Sequence, residues 1–254
     1  LVHEFVHALQ DVDVDLQAYV QEHATSYDSY LAMASVVEGE ARMHEARFYA
    51  ALIGLDPARI DWDEHFEERA KFAETNVASD PSPYLASFGY FPYEFGARFV
   101  HHAWVENGAS GIDALFALPP ARTQALMASV SEIANADWPE PEFANLPAPA
   151  EWELVGQESL GAWGTFLFVS RSFVPDIAYQ RALEWRGDDF EIYASNGAPP
   201  ETAVVWRIEF SSESAANQAR GILTGATLHV TVQGNRLVVT ATTGTSPLDW
   251  ALEP

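Results

Sequence analysis

Apolar residues recur at helical spacing from the first residues of the chain. In "LVHEFVHALQDVDVDLQAYV", Val2, Phe5, Val6, Leu9, Val12 and Leu16 return every three or four positions, the period of one helix face. That predicts one continuous helix. "TSYDSY" then offers Ser and Asp as N-caps for a second amphipathic run, "LAMASVVEGEARMHEARFYAALIG", closed by Gly54 and Pro57. "WDEHFEERAKFAET" predicts a third, charged helix, and "ASDPSPY" a loop. "FPYEFGARFVHHAWVENG" predicts a fourth helix, with Pro92 near its first position and Gly108 at its end. "GIDALFAL" and "ARTQALMASVSEIA" predict two shorter helices on either side of Pro119-Pro120.

The pattern changes in "NADWPEPEFANLPAPAEWEL", whose prolines 139, 141, 147 and 149 predict an extended linker. After it, "ESLGAWGTFLFVSRSF" and "PDIAYQRALEW" read as helices, and Trp185 to Asp189 as a turn. "FEIYAS", "TAVVWRIEF", "TLHVTV" and "RLVVTAT" are rich in β-branched and aromatic residues and predict strands. Gly234-Asn235 marks a hairpin between the last two. "SESAANQARGIL" predicts a helix between strands. The fold class expected is α+β: a helical part over residues 1–140, then a smaller α+β part over 151–254 with a mainly antiparallel sheet.

Composition narrows the chemistry. Acids outnumber bases 37 to 13, a net charge of −24, and a field of that sign repels phosphate backbones, so nucleic acid is excluded as an expected partner. There is no cysteine, so any metal site must use His, Asp and Glu. No apolar run reaches the length of a membrane span.

Within the first helix stands His3-Glu4-Phe5-Val6-His7, an HExxH motif. Positions i and i+4 share a helix face, so His3 and His7 can present imidazole nitrogens to one zinc ion. Zinc lowers the pKa of a bound water, and Glu4, beside the first histidine, can take its proton as the water attacks a carbonyl. Val2, Phe5, Val6 and Leu9 flank the motif as expected of a buried helix. A metzincin extension would need Gly at 10 and His at 13, where Gln10 and Asp13 stand. Asp11 is expected to orient an imidazole rather than to ligate. The better third ligand is Glu38, in register with Leu31, Ala34 and Ala41 on a narrow face of small and apolar residues, where a carboxylate needs a strong partner. Gly39 is expected to let the first two helices approach closely at the metal. Glu40 is expected to pair with His44, one turn on.

These segments resemble the glutamate zincins (gluzincins), in which HExxH is followed by a Glu in an "EGxA"-like segment. More narrowly, His3 to Asp11, Val37 to Ala41, Phe91 to Val100 and Trp185 to Asp189 resemble a group of bacterial proteins carrying "HELTHALQDQ", "LVEGDA", "FPYxxGxxFV" and "GWGGDR"-like stretches. Glu40 replaces that group's Asp, and "EWRGDDF" lacks its Arg. The resemblance implies a zincin-like catalytic part in residues 1–140, zinc as cofactor, His3, His7 and Glu38 as ligands, Glu4 as base and a peptide or protein substrate. It leans towards export from a bacterial cell. An oxyanion stabiliser is expected among Tyr93, Arg98, His101 and His102, with Tyr93 favoured because it lies in the shared stretch. The alternatives are a zinc hydrolase acting on a non-peptide substrate and a non-enzymatic acidic binding module with a vestigial metal site. In zincins a sheet precedes the motif helix, and Leu1-Val2 cannot supply one. The expectation is therefore a longer native polypeptide, with His3 frayed or covered by an upstream segment, and little or no peptidase activity from this chain alone.

Overall fold

A computed structural model describes residues 1–128, 141–220, 228–244 and 248–252. The fold is α+β, and the chain divides into two compact units, Leu1–Ile133 and Ala134–Pro254. Among the described residues no helix is long and apolar enough to cross a membrane.

The first unit is helical. The first predicted helix is two: α1 (Val2–Val14) and α2 (Leu16–His23). Asp15 separates them in the left-handed conformation, φ 49°. Its carboxylate accepts from Ala18 N–H, and Asp11 accepts from Leu16 N–H, so short acidic side chains satisfy the backbone at the break. Helix α3 (Tyr27–Leu52) starts at a reciprocal cap in which Ser26 and Ser29 each accept from the other's backbone N–H. Helix α4 (Trp62–Ser79) is capped by Asp61.

Helix α5 (Pro83–Asn107) begins earlier than the pattern predicts. Pro83, not Pro92, occupies the first turn; Pro92 sits inside the helix. The expected "ASDPSPY" loop is present but shorter: Asp80, Pro81 and Ser82 form it, while Ala78-Ser79 end α4 and Pro83-Tyr84 open α5. Helices α6 (Ala109–Ala117) and α7 (Thr123–Met127) follow; the end of "ARTQALMASVSEIA" lies outside the described residues. The core is built on α3, α4 and α5 from Met43, Trp62, Phe66, Ala97 and Val100. There α3 and α5 meet backbone to backbone. A Cβ on Gly39 would lie 2.3 Å from the Gly96 carbonyl carbon. The close approach that Gly39 permits is thus with α5, and the expected one with α1 is corrected.

The expected burial of the motif helix is also corrected. Gln10 is the buried residue of α1, while Phe5, Leu9 and Val12 are 64%, 53% and 82% exposed. The reason is rotational. His3, His7 and Gln10 form one stripe turned to α3, which places Phe5 and Val12 on the far side.

The second unit carries a five-stranded antiparallel sheet, in the order β1-β2-β3-β5-β4. Its strands are β1 (Trp152–Glu158), β2 (Trp185–Ser195), β3 (Thr202–Phe210), β4 (Leu228–Gln233) and β5 (Arg236–Thr242). Helices α8 (Gly161–Val169), α9 (Pro175–Ala182) and α10 (Glu213–Ala219) accompany them. Gly234, at φ 60°, turns the β4–β5 hairpin. The stretch Trp185 to Asp189, expected as a turn, opens β2 instead, and β2 pairs with β3 along that stretch.

Candidate metal centre

Two helices from distant parts of the first unit bring three ligand-type atoms together. His3 Nε2 lies 3.0 Å from Glu38 Oε2 and 3.0 Å from His7 Nε2, and His7 Nε2 lies 3.2 Å from Glu38 Oε2. The side chains are 13%, 20% and 24% exposed for His3, His7 and Glu38, so the triangle is partly open to solvent. Among the described residues it is the His/Asp/Glu group able to hold a metal ion.

The donor set, two imidazoles and one carboxylate, is one that could hold a cation. His7 Nδ1 is 2.8 Å from Gln10 Oε1. The orientation of that amide follows from its nitrogen, which donates to Val37 O at 3.0 Å and to Glu40 Oε2 at 2.8 Å. The amide thus offers His7 Nδ1 an acceptor, an arrangement that favours the tautomer whose Nε2 lone pair faces inward. Three protons cannot satisfy the three inner contacts, because a ring nitrogen that carries a proton has no lone pair left with which to accept another. One cation among them satisfies all three at once. Tetrahedral zinc with bonds of about 2.05 Å sets its ligands about 3.3 Å apart, close to the separations seen. The residues fit the ion.

Tyr93, on α5, stacks on the His3 ring with centroids 5.7 Å apart. Burial, then the neighbouring Glu38 carboxylate, pushes its phenol up to about 12. Glu4 is exposed on α1, and its charge reaches the Tyr93 hydroxyl. The other candidates are engaged elsewhere. Arg98 binds Glu67 and the Leu126 carbonyl. His101 is buried against Asp63 of α4 at 3.2 Å and accepts from Arg47. His102 stands beside His101, ring centroids 6.4 Å apart.

Asp11 does not orient an imidazole; its carboxylate caps α2, and Gln10 takes the role expected of it. The signal was present, since Gln10 follows His7 by three positions and His3 by seven, on the same stripe. Glu40 lies 3.8 Å from His44, a loose pair, and its stronger contact is with Gln10. On the flank of α1 carrying Val2 and Val6, a cleft of about 680 Å³ separates α1 from α6. No protein-family model, curated protein or solved structure matches the chain.

Proposed function

We propose that this chain carries the site of a zinc-dependent peptidase of the gluzincin type. The convergence of His3 Nε2, His7 Nε2 and Glu38 Oε2 within 3.2 Å of one another carries the reading. His3, His7 and Glu38 would hold the ion, two neutral donors and one carboxylate, a set used in hydrolytic zinc sites. When bound, zinc supplies Lewis-acid chemistry, acidifying a water and polarising a carbonyl oxygen. Glu4, one position round the helix from His3, accepts the proton of the attacking water and returns it to the leaving amine. Tyr93 keeps its proton at neutral pH and can donate a hydrogen bond to the oxygen that gains charge at the scissile carbonyl. Its stacking on His3 holds the hydroxyl beside the ligands.

The test has two steps. The purified chain should take up one equivalent of zinc, and His7→Ala or Glu38→Ala should lose it. On an unstructured protein substrate, Glu4→Gln should keep the zinc and lose roughly 10²- to 10⁴-fold in chelator-sensitive rate. Uptake unaffected by either ligand substitution would end the metal reading. Zinc-dependent hydrolysis unchanged in Glu4→Gln would remove Glu4 as the base.

A further inference from the structure

Gln10 is the residue of α1 that the fold buries, at 5% exposure, in a helix that leaves Phe5, Leu9 and Val12 in solvent. If this position served packing alone, a leucine or methionine would do it with no polar group to satisfy. The chain instead buries an amide, and both of its polar atoms are used. The carbonyl faces His7 Nδ1 at 2.8 Å, and the amide nitrogen reaches Val37 O and Glu40 Oε2 at 3.0 and 2.8 Å.

Those partners are not scattered. Val37 and Glu40 flank Glu38 on the same stretch of α3, while His7 is on α1. The amide therefore spans the two helices beside the point where their ligand atoms meet. It carries two kinds of information. Its length sets the spacing of His7 from the α3 turn bearing Glu38. Its polarity sets the tautomer of His7, because an amide nitrogen held by two acceptors must present its oxygen to the ring.

The tautomer decides whether His7 can ligate. A neutral imidazole binds metal through its unprotonated nitrogen. Without an acceptor at Nδ1, the Glu38 carboxylate 3.2 Å from Nε2 would draw the proton inward and occupy the lone pair that a metal needs. From this geometry we infer that Gln10 is the positioning residue of the metal centre: it holds His7 as the Nδ1–H tautomer and keeps the His7 and Glu38 helices in register. The inference rests on the reading of His7 as a ligand. Glu40 extends the device, since it fixes which way the amide points.

The experiment separates this role from packing. Gln10→Met keeps the volume and removes every hydrogen bond. Zinc affinity by chelator competition should fall tenfold to a hundredfold, the range typical of lost partners behind a ligating histidine. In the metal-free protein at pH 8, imidazole ¹⁵N shifts should show His7 as Nδ1–H in the wild type and Nε2–H in Gln10→Met. Gln10→Glu keeps an acceptor for His7 but sets a second carboxylate against Glu40, so it should also bind zinc weakly. Adding Glu40→Gln, whose amide can donate to the new carboxylate, should restore most of the affinity. Circular dichroism checks that each variant folds.

Zinc held by Gln10→Met within twofold of wild type, or His7 keeping Nδ1–H in that variant, would overturn the inference. A double variant no tighter than Gln10→Glu would overturn the part assigned to Glu40. If the wild type takes up no zinc, the metal reading fails, and the tautomer shift alone decides whether Gln10 controls the ring.

Discussion

Each unit holds a cluster of polar groups built round a carboxylate, buried in the second unit and partly open to solvent in the first, and the two clusters differ in what they leave unfinished. In the second unit Asp188 gathers five donors. Ser159 Oγ, Gly161 N and Trp185 Nε1 reach one oxygen at 2.9 to 3.2 Å; Leu160 N and Trp206 Nε1 reach the other at 2.9 and 2.7 Å. Each donor meets an acceptor, and the group ties the start of α8 to β2 and β3. In the first unit Glu38 meets two imidazole nitrogens that also face each other, and no simple arrangement of protons completes the triangle. A cluster that closes on itself holds a fold together. One whose lone pairs converge leaves room for a cation among them, which is the proposal made for the first unit.

The largest effect should come from breaking the closed cluster. Asp188→Leu removes an acceptor from five donors and strands two indole and two backbone N–H groups in the interior. The expected cost is about 3–5 kcal/mol, the range for opening a buried charged network. Hydrogen exchange by mass spectrometry should report it as lost protection in β2, β3 and α8, while zinc uptake by the first unit is unchanged. Loss of zinc uptake in this variant would deny that the two clusters do separate work.

The open cluster should show the reverse sensitivity, to ligand more than to side-chain loss. Zinc at a hundred times its dissociation constant should stabilise the first unit by about 2.7 kcal/mol. Protection should rise in α1 and α3 and stay constant along the sheet. His3→Ala, which deletes one corner of an unfinished triangle, should abolish that gain and cost the metal-free protein little. Equal protection of both units by zinc, or a gain surviving in His3→Ala, would erase the contrast.

The two clusters also differed in how far the sequence disclosed them. His3, His7 and Glu38 were legible because one chemical requirement selects residue types at fixed helical spacings. The strands from "FEIYAS" onward were legible from β-branched alternation, and the Gly234 hairpin from its turn residues. Asp188 was not. "WRGDDF" has turn composition, and it begins a strand through long-range pairing with Trp206 to Phe210 of β3, with Trp206 and Leu160 also donating to the Asp188 carboxylate. Asp15 escaped for the opposite reason: apolar spacing runs unbroken across it, and a local backbone reversal leaves no trace in that period. Pro92 looks like a helix start because proline is enriched at first helical positions, but Phe91, Phe95 and Gly96 around it are buried, and that packing accompanies a proline inside α5. Gly39 signals a close approach but not its neighbour, since the sequence does not say that Gly96 is the residue it faces.

The smallest expected effect concerns protons, and it too has opposite signs in the two units. Burial holds His101 below the ordinary imidazole value of 6.5, and the Arg47 cation adds to that, while Asp63 opposes it. Burial lowers His65 as well, with Arg42 and Arg69 contributing. For such groups the unfolded chain takes up a proton before the folded one does. Their stabilising contribution is complete above pH 6.5 and is lost as pH falls through the folded value, with a slope of at most about 1.4 kcal/mol per pH unit for each proton. In the second unit burial raises Asp188 even against the donors that lower it, and raises Glu191 with help from Asp189. A raised carboxyl contributes stability at low pH and loses it as pH rises through its folded value. Acidification below 6.5 should therefore weaken protection in α4 and α5 before it weakens the sheet. His101→Gln should flatten the decline in the first unit, because an amide there has no proton to gain. A decline of equal steepness in both units, or one unchanged by His101→Gln, would show that the histidines of α4 and α5 do not set the acid response of their unit.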